Sequence, residues 1–92
     1  MSAKEDWEAE RRAYLAGFAS NVRRIREEKG LSQAALDRAA GLHRTEVGRI
    51  EGGSTEPRLM TLAILAKGLG VTIDELIAGL PTPTHRKPPP QE

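Results

Sequence analysis

Arg44, Thr45, Gly48 and Arg49 carry the most pointed chemistry in this chain. They share one face of a short helical segment, opposite Val47 and Ile50, so packing does not claim them. An arginine fork donates two parallel hydrogen bonds to a planar acceptor edge, and threonine sets a hydroxyl beside a methyl. Other chemistry is thinly supplied. Glu27 and Glu28 are adjacent on a helix and do not face each other as an acid–base pair would. His43 and His85 are far apart and the chain has no cysteine, so neither a metal site nor a disulfide framework is expected. No nucleophile motif and no phosphate-cradling glycine loop occurs. An enzyme, a cofactor and a small-molecule ligand are therefore not expected.

Those four residues need a scaffold, and 92 residues supply one modest core. Gly30, Gly41, Gly52–Gly53, Gly70 and Gly79 each follow a helix-like segment, as expected past a helix end. Little alternates with period two and β-branched runs are missing, so the chain reads as all-α. The first helix runs to about Lys29, with Leu15, Phe18, Val22 and Ile25 as its apolar stripe. The second spans about Gln33 to Ala40 behind Ser32 as N-cap. The third spans about Arg44 to Glu51, with His43 in the cap position. The fourth runs from about Leu59 to Gly68, with Leu59, Leu62, Ala66 and Leu69 at helical spacing. The fifth covers about Ile73 to Ala78, opened by the capping-box spacing of Thr72 and Glu75.

Three regions follow. Residues 1–14 form a charged helical extension, either continuous with the first helix or separate from it. Trp7 and Tyr14 are its anchors, and Trp7 is read as a packing or interface residue. Residues 15–80 form the folded domain. Residues 81–92 are proline-rich and are expected to be a mobile, partly polyproline-like tail. The start, Met1 to Asp6, lacks an apolar stretch and is not expected to be a signal peptide. No apolar run approaches 18 residues. A net charge of +1 is only weakly basic, so any polyanion reading rests on where charges sit.

The second and third helices are joined by a tight turn at Gly41-Leu42-His43. Gln33-Ala34-Ala35-Leu36, then Ala40-Gly41-Leu42-His43-Arg44-Thr45-Glu46-Val47, then Arg49-Ile50-Glu51 resemble the helix-turn-helix of the phage-repressor-like family, of the Cro and xenobiotic-response-element type. Leu31-Ser32-Gln33 upstream and Leu69-Gly70-Val71 with Leu76 downstream resemble it too, so the likeness covers about residues 18–78. It implies a compact five-helix bundle whose third helix enters the major groove of double-stranded DNA. Carried over by position, Arg44, Thr45, Gly48 and Arg49 face base edges. Ser32, Gln33, His43 and Arg58 are the phosphate candidates, His43 also being a turn or cap residue. Arg26 and Glu51 are implied to form a structural ion pair.

Some positions depart from the family pattern. Asp37 stands where a small apolar residue is usual, and a carboxylate there needs solvent or a partner, with a nearby arginine or the turn N–H groups available. Gly48 costs a helix about 1 kcal/mol relative to alanine, and either admits a close approach to DNA or loosens the helix. Glu46 is repelled by phosphates but can accept from a cytosine amine. The expected function is sequence-specific transcriptional regulation by a cytoplasmic homodimer. The dimer contact is expected at Leu76, Ile77 and Leu80, or at Trp7, Tyr14 and Phe18. The rival is an antitoxin-like or adaptor interaction module on the same fold.

Overall fold

In the computed structural model, which describes residues 2–84, five helices follow in order: α1 (Ala3–Glu28), α2 (Gln33–Ala40), α3 (Glu46–Glu51), α4 (Leu59–Leu69) and α5 (Ile73–Leu76). No strand occurs among the described residues. Residues 3–14 are the first half of α1, not a separate element. The Ser2 hydroxyl accepts the Glu5 N–H at 3.1 Å, and Glu5 and Asp6 complement the dipole in the first turn. At 26 residues α1 is about 39 Å long. It therefore sets the long dimension of a body measuring 44 × 24 × 19 Å.

The core joins Phe18, Val22 and Ile25 of α1 to Leu36, Val47, Ile50, Leu65, Ala66, Leu69 and Leu76. Such a cluster makes each short helix depend on its neighbours, since α3 and α5 are too short to persist alone. α2 and α4 pack with their backbones close together. A Cβ at Gly68 would lie 2.8 Å from the Ala40 Cβ and 3.1 Å from its Cα, so only glycine lets the helices approach this closely. Asn21 closes the other side. Its side-chain amide donates to the carbonyls of Leu76 and Ala78 at 2.9 and 3.0 Å, tying α1 to the end of α5.

Several details differ from the sequence expectations. α3 begins at Glu46, two positions after Arg44, because Arg44 and Thr45 form a turn and Thr45 makes no side-chain cap. Leu59, expected on the inner row of α4, is 74% exposed, and Met60 beside it is 69% exposed. The buried row starts one turn later and runs Leu62, Leu65, Ala66, Leu69. Phe18 and Leu76 are fully claimed by the monomer core and are not available to a dimer contact. Ile77 and Leu80 are half-buried against the same core. Trp7 and Tyr14 are half-buried on α1.

The tail expectation falls largely on residues 85–92, outside the described residues; His85 lies there as well. Residues 81–84 return to α1, where the Glu10 carboxylate accepts both the N–H and the hydroxyl of Thr84. One residue on, Arg11 pairs with Glu56 of the α3–α4 loop at 3.1 Å.

The Ala40–Gly68 contact predicts that Gly68→Ala destabilises the protein by about 1–3 kcal/mol despite the better helix propensity of alanine. Urea unfolding measures it, and an unchanged midpoint would show that the helices part without cost.

Candidate nucleic-acid interface

The helix pair α2–α3 is held from within by two carboxylates. α2 starts behind Ser32, whose hydroxyl accepts the Ala35 N–H at 3.0 Å. It ends at Gly41 in the left-handed conformation, φ 70°, and the Leu42 N–H then donates to the Asp37 carbonyl at 2.8 Å. Asp37 is only 2% exposed, and its Oδ1 accepts the Val47 N–H at 2.9 Å. Of the partners anticipated for this carboxylate, the bond is to an N–H at the start of α3. It serves there as a cap supplied from another helix.

Glu51, at the far end of α3, is the second carboxylate, and its side chain is wholly buried. Arg26 grips it with both faces of its fork, Nε to Oε2 at 2.6 Å and Nη2 to Oε1 at 3.0 Å. The same guanidinium donates through Nη1 to the Leu31 carbonyl at 2.7 Å, which fixes the link into α2. Gln33 Nε2 reaches Oε1 at 3.1 Å and Arg23 Nε reaches it at 3.3 Å. Burial would push the Glu51 carboxyl up. The hydrogen bonds from Arg26, Gln33 and Arg23, with the Arg26 charge, outweigh burial and hold it below its ordinary value. The bond to Glu51 correspondingly raises Arg26 above its own ordinary value, against burial.

The opposite face of the pair is open. His43, Arg44, Thr45 and Arg49 are all exposed, while Glu46 and Gly48 are half-buried. Arg11, Arg23, Arg24 and Arg26 are each engaged by a carboxylate, whereas among the described residues Arg12, Arg38, Arg44, Arg49 and Arg58 join no ion pair, and of these Arg44 and Arg49 lie in the turn and on α3. Ser32 and Arg58 are exposed at the starts of α2 and α4. Gln33 is exposed as a residue, but its amide is directed at Glu51. Gly48 eases that path: a Cβ there would lie 3.3 Å from the Gln33 Oε1, a tight contact.

By sequence Arg23 is a surface charge or a DNA-backbone contact and Gln33 a phosphate contact, but both side chains bond Glu51. Arg23 stands three residues before Arg26, hence on the same helix face, and that spacing was the available signal. For Gln33 the signal was a glycine in the middle of a short helix. Among the described residues, no cluster of His, Cys, Asp and Glu could hold a metal ion, and no helix is long and apolar enough to cross a membrane.

Comparison with known proteins places this geometry. A helix-turn-helix family model matches residues 22–76, which span α2, α3, α4 and α5 with the last part of α1. The chain belongs to the helix-turn-helix family. It is 42% identical over 60 residues to the control protein C.SmaI of Serratia marcescens, covering 65% of this chain and 71% of that protein. It is 38% identical over 69 residues to the uncharacterized HTH-type transcriptional regulator y4dJ of Sinorhizobium fredii, covering 75% and 84%. Among solved structures it resembles the restriction-modification controller protein C.AhdI of Aeromonas hydrophila, with a TM-score of 0.67 and 38% identity over 70% of this chain and 97% of that one. A hypothetical transcription factor from Neisseria is similar at a TM-score of 0.66 and 36% identity, covering 70% and 74%. The chain is thus a DNA-binding transcriptional regulator by family, and the family is one of regulators, not of enzymes.

The Glu51 cluster predicts a pH signature. A depressed carboxyl contributes stability that is full above its ordinary value of 4.5 and is lost as pH falls through the lower folded value. Glu51→Gln should cost about 3–5 kcal/mol near neutrality, and the gap to the parent protein should close as pH drops below that point. Urea unfolding of both proteins across acidic pH measures the gap; a gap independent of pH would show that the carboxylate charge is not what the network uses.

Proposed function

We propose that this protein binds double-stranded DNA sequence-specifically as a homodimeric transcriptional regulator, with the segment from Arg44 to Glu51 in the major groove. The observation that carries the proposal is where the unpaired arginines sit: Arg23 and Arg26 of α1 bond the buried Glu51, while Arg44 in the turn and Arg49 on α3 are exposed on the other side of the helix pair and join no ion pair among the described residues. A guanidinium free of internal partners can spend both donors on the O6 and N7 of one guanine. Thr45 can offer its methyl to a thymine or its hydroxyl to a phosphate. Gly48 then has a double use, keeping the helix surface low toward the groove and leaving space for Gln33.

Phosphate contacts would set the register. Ser32 retains its hydroxyl proton after accepting from Ala35, and the first N–H groups of α2, at Gln33 and Ala34, have no acceptor within the helix. Together with the dipole they favour an anion. Gln33 enters mainly through that backbone N–H, because its side chain serves Glu51. Arg58 and His43 are further phosphate partners. One module of this kind buries about 600–1,000 Å² of its own surface on DNA, so two copies reading half-sites about 34 Å apart give useful specificity. A regulator of DNA works where the DNA is, which for the bacterial proteins it resembles is the cytoplasm. No catalytic step is assigned to the chain.

An interaction module on the same scaffold draws support from one observation, the exposed pair Leu59 and Met60 at the start of α4. One experiment separates the readings. Duplexes selected from a random pool should bind about 10³-fold or more tightly than random DNA, with log affinity falling steeply against log salt. Arg49→Ala should cost about 1–3 kcal/mol on the selected duplex and relax the preference at one base position. Equal weakening on every sequence would make Arg49 a phosphate contact, and a flat salt response without preference would favour the interaction module.

A further inference from the structure

One residue, Asp37, holds both ends of the turn between α2 and α3. Its carbonyl accepts the N–H of Leu42 at 2.8 Å, where the chain leaves α2. Its carboxylate accepts the N–H of Val47 at 2.9 Å, where the chain enters α3. Between these two bonds lie His43, Arg44, Thr45 and Glu46, the first three of them exposed. Local chemistry does little for this segment. Thr45 stands at the N-cap position of α3 with φ −118° and ψ 6° and makes no side-chain cap bond, and the turn's internal bond is that from the Glu46 N–H to the His43 carbonyl at 2.9 Å. The first turn of α3 is therefore oriented by a carboxyl group from a different helix. That group is buried, so removing it would leave the Val47 N–H without a partner away from water.

We infer that Asp37 is the positioning residue of the reading segment: it sets where Arg44 and Thr45 stand relative to α2 and thereby tunes sequence discrimination more than overall attraction to DNA. The inference rests on the DNA-binding reading above. Its logic is that sequence-blind attraction needs only the presence of positive charge near phosphates. Base readout needs donors held in a narrow geometry, which a loosened first turn would lose. An apolar side chain would fill the site at Asp37 but leave the Val47 N–H without its partner. An asparagine keeps an acceptor oxygen at the same reach.

The test compares the full chain with Asp37→Ala and Asp37→Asn, below the unfolding transition of all three. Affinity is read on the selected duplex and on random duplex, and amide hydrogen exchange is read residue by residue. Asp37→Ala should lose about tenfold or more on the selected duplex, with a change of less than about twofold on random DNA. The Val47 amide should exchange faster while the amides of α1 and α4 keep their protection. Asp37→Asn should restore most of both. Unchanged discrimination in a folded Asp37→Ala protein would overturn the inference. So would an equal loss on both DNAs, or a loss of protection throughout, each of which would make Asp37 a general stability residue. If the parent protein shows no preference on any duplex, the functional reading fails instead, and the Val47 exchange still decides whether Asp37 holds the turn.

Discussion

Everything in this molecule is arranged around a carboxylate that has no access to water. Glu51 ends α3, and its oxygens are met by Arg26 and Arg23 from α1 and by Gln33 from α2. An unpaired charge in that position would be prohibitive, so the three helices are admitted only in the arrangement that brings those donors together. Hydrophobic burial supplies the bulk of the stability but is indifferent to small rotations. The charge cluster is not, because its bonds tolerate little change in distance or angle. What apolar packing leaves loosely specified, Glu51 settles.

The two ends of α3 are governed alike. Asp37 takes hold of its beginning and Glu51 anchors its end, both through buried oxygens directed inward. A helix of six residues could not hold its own orientation. Tied at both termini from behind, it presents its outer side as a fixed surface. The division of labour among the arginines follows. Those facing the inner carboxylate are structural, and those on the far side stay available.

Much of this was legible in the sequence and some was not, for reasons that can be named. The helices announced themselves through apolar spacing and through the glycines that stop them. Arg26 and Glu51 were marked only by family resemblance, since they lie 25 positions apart and no local pattern links them. The start of α3 was misplaced because its cap comes from Asp37, ten residues earlier on another helix, where no local capping rule looks. Leu59 fitted the periodicity of α4 and is nonetheless exposed, because a helical repeat shows which residues share a row but not how far along the row a neighbour extends. Gln33 reads as a phosphate contact at the start of α2, yet its amide turns inward to Glu51, past a Gly48 that has no Cβ to crowd it.

The length of α1 divides that helix into two zones of unequal durability. From Leu15 onward it is rooted in the core, whereas the turns before it are secured by surface contacts such as Arg11 with Glu56 and Glu10 with Thr84. Exposed pairs of this kind contribute at most about 1 kcal/mol each, and an isolated helix of a dozen residues is marginal in water. The opening turns are therefore expected to open before the bundle does. Each such event lets go of the α3–α4 loop and the segment after α5 together, since neighbouring residues of one helix hold both.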